Sequence, residues 1–198
     1  MSTVPAMPPN QSESMTPVPP PAGLTATIPD DMLYEVVDGQ VVEKTMGAFE
    51  TGIASLLDQI LGPYARANRL GQCFIEMLFR IDIGQDLQRR PDVAFVSHAR
   101  WPYNRRAPDV PVWDMVPDLA IEVISPSNTA AAVQRKVHDY FKAGVTRVWV
   151  VYPEQGEVYI YSTPRQTEVV GVGQELDGGD LLPGFRLPVA VLFEDDPE

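Results

Sequence analysis

Residues 117–153, PDLAIEVISPSNTAAAVQRKVHDYFKAGVTRVWVVYP, constrain the fold more tightly than any other stretch of the chain. Leu119–Ile124 is apolar apart from Glu122, and Arg147–Val151 is similarly apolar; each has the pattern of a strand covered on both faces. Between them, Val133, Val137, Tyr140 and Phe141 recur at helical spacing over Ala130–Ala143, and Gly144 ends the helix. Ser125–Asn128 stops the first strand and offers caps for that helix. Strand, helix and strand in this order require a sheet with helices packed on it.

The flanking segments extend this pattern. Tyr34–Val37 and Gln40–Glu43 are predicted strands joined by Asp38-Gly39, a pair suited to a two-residue hairpin turn. Phe49, Ile53, Leu56, Leu57, Ile60, Leu61 and Tyr64 mark an amphipathic helix over Ala48–Asn68, broken by Gly71. Gln72–Ile83 alternates as one long strand, and Val93–Val96 as a buried one. Ser97–Val116 has no steady period and contains three prolines, so it is predicted to be an irregular excursion. Val158–Tyr161 and Glu168–Gly171 form a further hairpin, and Asp180–Phe193 a loop-rich closing segment. The expected fold class is α/β: a mixed β-sheet flanked by α-helices, with an N-terminal β-hairpin and a C-terminal β extension.

Two acids interrupt this apolar framework. Asp92 stands just ahead of Val93–Val96, and Glu122 lies inside Leu119–Ile124. A carboxylate among aliphatic residues is costly to bury unless something pairs with it. Two such acids on adjacent strands can hold a hard divalent ion, and Lys136 on the following helix supplies a positive charge beside it. Lys136 shares the inward stripe with Tyr140. Glu50 is a further acid near the start of the first helix, where the helix dipole alone would favour it. Glu35 in the first hairpin can face either side. Asp118 precedes Leu119 as Asp92 precedes Val93, and is expected to be a loop or strand-edge residue.

Other chemistries find little support. Ser125 has no His–Asp pattern near it, and no glycine-rich phosphate loop occurs. His98 and His138 lie at no ligand spacing from an acid. Cys73, the single cysteine, excludes an internal disulfide and opens a strand as a core residue. With 198 residues and 44% hydrophobic content, the chain has the size for one domain. Eight of its 20 prolines fall in the first 29 residues, so residues 1–27 are expected to form a disordered leader. Residues 28–193 then form the domain and 194–198 an acidic tail. No apolar run approaches the roughly 18 residues of a membrane helix, and a cytoplasmic location is expected. The net charge of −12 opposes nucleic-acid binding at long range, although the arginines cluster at 66–69, 80–90 and 100–106.

The blocks YEVVDGQVVE, RRPDVAFV, PDLAIEVISPS, KVHDYFKAGVTRVWVVYP and GGDLLPGFRLPVAVLF, taken in this order, resemble the Uma-two restriction endonuclease family of the PD-(D/E)XK nuclease superfamily. They span nearly all of Leu33–Phe193. The resemblance implies a restriction-endonuclease-like core and hydrolysis of phosphodiester bonds in DNA with Mg²⁺ or Mn²⁺. It implies that Asp92 and Glu122 are metal ligands and that Asp92, Glu122, Lys136 and Glu50 are catalytic. The superfamily lysine normally follows the second acid by two residues; Ile124 stands there, and Lys136 on the next helix takes its place. Asn128 and Ala132 stand where the family pattern expects acids. The alternative is therefore a catalytically weakened nuclease fold acting as a binding module, or as a homodimer joined at a sheet edge.

Overall fold

The structure, a computed structural model, describes residues 32–193. The expected leader and acidic tail lie outside the described residues. Strand β1 (Tyr34–Val37) turns through Asp38 and Gly39 into β2 (Gln40–Glu43). Both turn residues have positive φ, 53° and 72°, the conformation that a tight turn matched to strand twist demands. Helix α1 (Ala48–Ala67) buries Ile53, Ala54, Leu57, Leu61 and Ala65 along one stripe.

A six-stranded sheet forms the centre of the fold. It contains β3 (Gly71–Ile75), β6 (Val93–Ser97), β7 (Leu119–Val123), β8 (Arg147–Tyr152), β9 (Glu157–Thr163) and β10 (Gln166–Gly171). The order is β10-β9-β8-β7-β6-β3. Only β7 and β8 run parallel, and α2 (Ala130–Ala143) connects them, as parallel neighbours require a crossover. Thr129, rather than a residue of the 125–128 turn, caps α2, its Oγ1 accepting from Ala132 N at 3.2 Å. Asn128 is used inside that turn, where its Oδ1 accepts from Ser125 N at 2.9 Å.

The expected long strand over 72–83 is two strands in two sheets. Glu76 has φ 51° and breaks the run after Ile75. The second piece, β4 (Phe79–Asp82), pairs with β5 (Leu87–Arg89), which periodicity had not revealed. These two join β1 and β2 in a four-stranded sheet ordered β2-β1-β5-β4. Gly71 does not terminate α1, which closes at Asn68. A Cβ at Gly71 would meet Val96 O at 2.2 Å and the Phe95 ring at 2.5 Å, so close approach of β3 to β6 requires glycine. The closing segment gains a short ladder, β11 (Glu175–Asp177) with β12 (Arg186–Pro188).

The two-residue period of the strands divides the core. Val93, Phe95, Leu119 and Ile121 pack beneath α1, together with Trp149 and Phe185. Ala94, Val96, Ala120 and Val148 pack on the other face against Val137 and Tyr140 of α2, with Phe79 and Trp113. Asp92 shares the parity of Ala94, and Glu122 that of Ala120. Both acids are therefore directed to the α2 face.

Candidate active site

β6 and β7 are antiparallel with Val93 opposite Ile121, which sets Asp92 beside Glu122 at one end of the sheet. Both are buried, and both line a cleft of about 390 Å³ between the β1–β2 hairpin and the N-terminal half of α2. Asp92 is anchored on both oxygens. Its Oδ2 accepts the Val123 amide at 2.5 Å, and Oδ1 lies 2.5 Å from Lys44 Nζ. Lys44 also binds the Glu76 carboxylate at 3.1 Å and donates to Arg90 O at 2.7 Å.

Glu122 is not a buried charge without a partner. Its Oε2 lies 2.9 Å from Lys136 Nζ, and Tyr140 donates to Oε1 at 2.5 Å. Lys136 and Tyr140 are one helical turn apart on α2, so a single helix face supplies both groups. Lys136 Nζ also lies 3.2 Å from Glu35 Oε1. Glu35 accepts from Arg89 Nη1 at 2.7 Å and from the Arg90 amide at 3.1 Å. Arg89 in turn binds Asp139. The lysine is thus bracketed by two carboxylates, one from the sheet and one from the hairpin.

Electrostatics separates these groups. Burial pushes the Glu122 carboxyl above its ordinary value, Lys136 opposes that, and the neighbouring charge of Asp92 adds to the rise. Burial would also raise Glu35, but Lys136 and Arg89 outweigh it and hold that carboxyl below the usual value. Burial would lower Lys136; Glu122 and Glu35 overcome it and keep the ammonium above its ordinary pKa. Lys136 is accordingly a fixed cation at neutral pH, and Glu122 is the carboxylate whose charge the fold opposes.

The structure brings together three of the four site residues expected from sequence: Asp92, Glu122 and Lys136. Glu50 stands apart. It is buried at the start of α1 but does not line the cleft, and a Cβ at Gly47 would meet its Oε2 at 2.3 Å, so its carboxylate folds back over the helix entry. Asn128 and Ala132, the neutral residues at the expected acidic positions, do line the cleft. Sequence reasoning missed Lys44, Arg89 and Tyr140 as parts of the site and left the direction of Glu35 open. For Glu35 alternation could not choose a face, and in the structure both Glu35 and its neighbour Val36 are buried.

The donor set suits a hard divalent cation. Two carboxylates on neighbouring strands face one cleft, and Mg²⁺ commonly takes one or two carboxylates, completing its shell with water and substrate phosphate. Asp92 Oδ1 retains lone-pair capacity beyond its Lys44 contact. Among the described residues no three His, Cys, Asp or Glu side chains group into a cage.

Residues 23–190 match the Uma2 family, described as a putative restriction endonuclease family. The chain belongs to this family. Its fold is similar to the crystal structure of a putative nuclease belonging to DUF820 from Anabaena variabilis, with a TM-score of 0.71 at 20% identity. That match covers 81% of this chain and 89% of the other. No curated protein matches. Among the described residues, no helix is long and apolar enough to cross a membrane.

Proposed function

We propose that this Uma2 protein is a divalent-metal-dependent endonuclease that hydrolyses phosphodiester bonds in DNA, acting in the cytoplasm. The observation that carries the proposal is the lysine–carboxylate pair at 2.9 Å, Lys136 Nζ to Glu122 Oε2, set beside Asp92 in a cleft of about 390 Å³. Asp92 and Glu122 would hold Mg²⁺ or Mn²⁺. When bound, such an ion polarises a phosphate and supplies a nucleophilic water at neutral pH.

The residues of the chain divide the remaining work. Lys136, held charged by Glu122 and Glu35, acts as an electrostatic stabiliser of the negative charge that grows on the phosphate as water adds and the sugar oxygen departs. It is not a base, because its neighbours favour the protonated form. Tyr140 and Lys136 fix the Glu122 rotamer through one oxygen each. The Val123 amide and Lys44 do the same for Asp92. Glu35 is a positioning residue for Lys136. Glu50 would assist only from behind this first ring.

A second reading has a specific observation in its favour. Asn128 and Ala132 put neutral side chains on the cleft wall, and Asn128 is already committed to the Ser125 turn. This fits a catalytically weakened member that binds a partner or a second copy through a sheet edge. Two measurements together decide between the readings: thermal unfolding with and without Mn²⁺, and nicking of supercoiled plasmid. The nuclease reading expects a higher melting temperature with Mn²⁺ and metal-dependent nicking that Glu122→Gln removes. A wild type that fails to nick under every divalent metal tried leaves only the binding module.

A further inference from the structure

Four cations line the cleft: Lys44, Arg89, Arg135 and Lys136. Three are committed to carboxylates: Lys44 to Asp92 and Glu76, Arg89 to Glu35 and Asp139, and Lys136 to Glu35 and Glu122. Arg135 is exposed and forms no ion pair among the described residues. It also lines a neighbouring hollow of about 270 Å³ with Asp38, Gln85, Asp139 and Lys142. Val37 and Arg135 belong to both spaces, so the guanidinium stands where the cleft opens into the hollow.

We propose that Arg135 anchors a nucleic-acid phosphate adjoining the scissile one, and that the hollow beside α2 carries the backbone away from the cleft. This rests on the nuclease reading above. In a chain of net charge −12, a free guanidinium at the cleft mouth is the group that can take an incoming phosphate without first breaking an internal pair. Its planar fork also matches phosphate oxygens. The carboxylates of the hollow do not cancel it. Asp139 is answered by Arg89, which leaves Asp38 on the exposed hairpin turn. Lys142 extends the track: it lies seven residues beyond Arg135, two helical turns or about 10.5 Å along α2, and lines the same hollow. Lys142 is mostly exposed and reaches Asp82 only at 4.0 Å, so its contribution is the smaller one.

The test is the affinity of the full-length protein for a short fluorescent DNA duplex in Ca²⁺, by anisotropy, between about 50 and 200 mM salt. Arg135→Ala should weaken binding about five- to tenfold, the scale of one lost phosphate contact, and lower the salt slope by about 0.9. Its Mn²⁺ affinity by calorimetry and its melting temperature should match wild type. Arg135→Lys should keep the salt slope. Arg165→Ala is the control for bulk charge: Arg165 is an exposed residue in the β9–β10 turn, at the opposite end of the sheet from Glu122, and should bind as wild type. Equal weakening by Arg165→Ala, or wild-type affinity in Arg135→Ala while plasmid nicking is normal, overturns the anchor and leaves the nuclease reading standing. A wild type that neither binds nor nicks DNA overturns both.

Discussion

The two ends of the β6–β7 pair begin from the same local device and finish differently. At each end a Pro-Asp dipeptide leads into a strand, Pro91-Asp92 before β6 and Pro117-Asp118 before β7. Each aspartate spends one oxygen on an amide across the pair: Asp92 on Val123 N at 2.5 Å, Asp118 on Ser97 N at 2.7 Å. Each gives the other oxygen to a cation: Asp92 to Lys44, Asp118 to Arg100 at 2.7 Å. The ends diverge in what surrounds this clip. Beside Asp92 stands Glu122 with Lys136 and Tyr140, over an open cleft. Arg100, by contrast, also caps the carbonyls of Val116 and Gly144, which seals that end. A strand-start aspartate is therefore a structural staple first; a second buried carboxylate and a space beside it are what make one staple a candidate ion site.

The sharpest break of this comparison is catalytic. Lys136→Ala and Glu122→Gln should each cut metal-dependent nicking by at least about 10²-fold, the size of losing one preorganised electrostatic group, while Asp118→Asn stays near wild type. Plasmid nicking with Mg²⁺ or Mn²⁺ measures it, and comparable loss in Asp118→Asn would erase the distinction between the ends. Calorimetry with Mn²⁺ separates the two active variants: Lys136→Ala should still bind the ion and Glu122→Gln should not.

Stability divides the ends more gently. Asp92→Ala leaves Lys44 buried and short of its closest charge, and should cost about 3–5 kcal/mol in denaturant unfolding. Asp118→Ala removes a clip whose arginine is 29% exposed, and should cost about 1–3 kcal/mol. A reversed order would mean that the sealed end carries the fold and the cleft end is expendable.

The pH response sharpens the same contrast. Glu122 is raised, so the folded chain takes up its proton at a higher pH than the unfolded chain, and this group weakens the fold as pH rises from its ordinary value through the raised one. Mn²⁺ must displace that proton, so its affinity should climb over the same window. Glu35 has the opposite sign: its stabilisation is complete above the ordinary carboxylate pKa and is lost as pH falls through the depressed folded value. Calorimetry from pH 5 upward, at about one-unit steps, should show the rise for wild type; a flat profile would place the ion away from Glu122. The smallest expected effect is at Thr129, whose loss as the α2 cap in Thr129→Ala should cost about 1 kcal/mol with Mn²⁺ affinity unchanged, read by thermal unfolding and calorimetry.

Much of this was legible along the chain. The β1–β2 hairpin and α2 fall where Asp38-Gly39, the helical spacing over Ala130–Ala143 and Gly144 place them, because turn chemistry and helical spacing act over a few residues; the α2 cap fell one residue past the expected 125–128 turn, at Thr129. Asp92 and Glu122 stood out because each interrupts an otherwise apolar strand. The 72–83 segment misled: its alternation continues through Glu76, and nothing local announces that Phe79–Asp82 pairs in another sheet. Cys73, expected in the core, is partly buried against the α1 side of the sheet, and burial pushes its thiol up to about 12.

By itself the sequence determined which residues share a face in α1, α2 and the central strands β6 and β7, since periods of two and 3.6 are fixed by backbone geometry. It thereby determined that two acids and one lysine were set against apolar surroundings. Only the tertiary structure decided their partners. Lys44 and Glu35 come from a hairpin that precedes Asp92 by more than 40 residues, Arg89 from a short strand in the second sheet, and Tyr140 from the far end of a crossover helix. Charge pairing is a matter of distance in space, and those distances were set when the β1–β2 hairpin and α2 closed over the same end of the sheet.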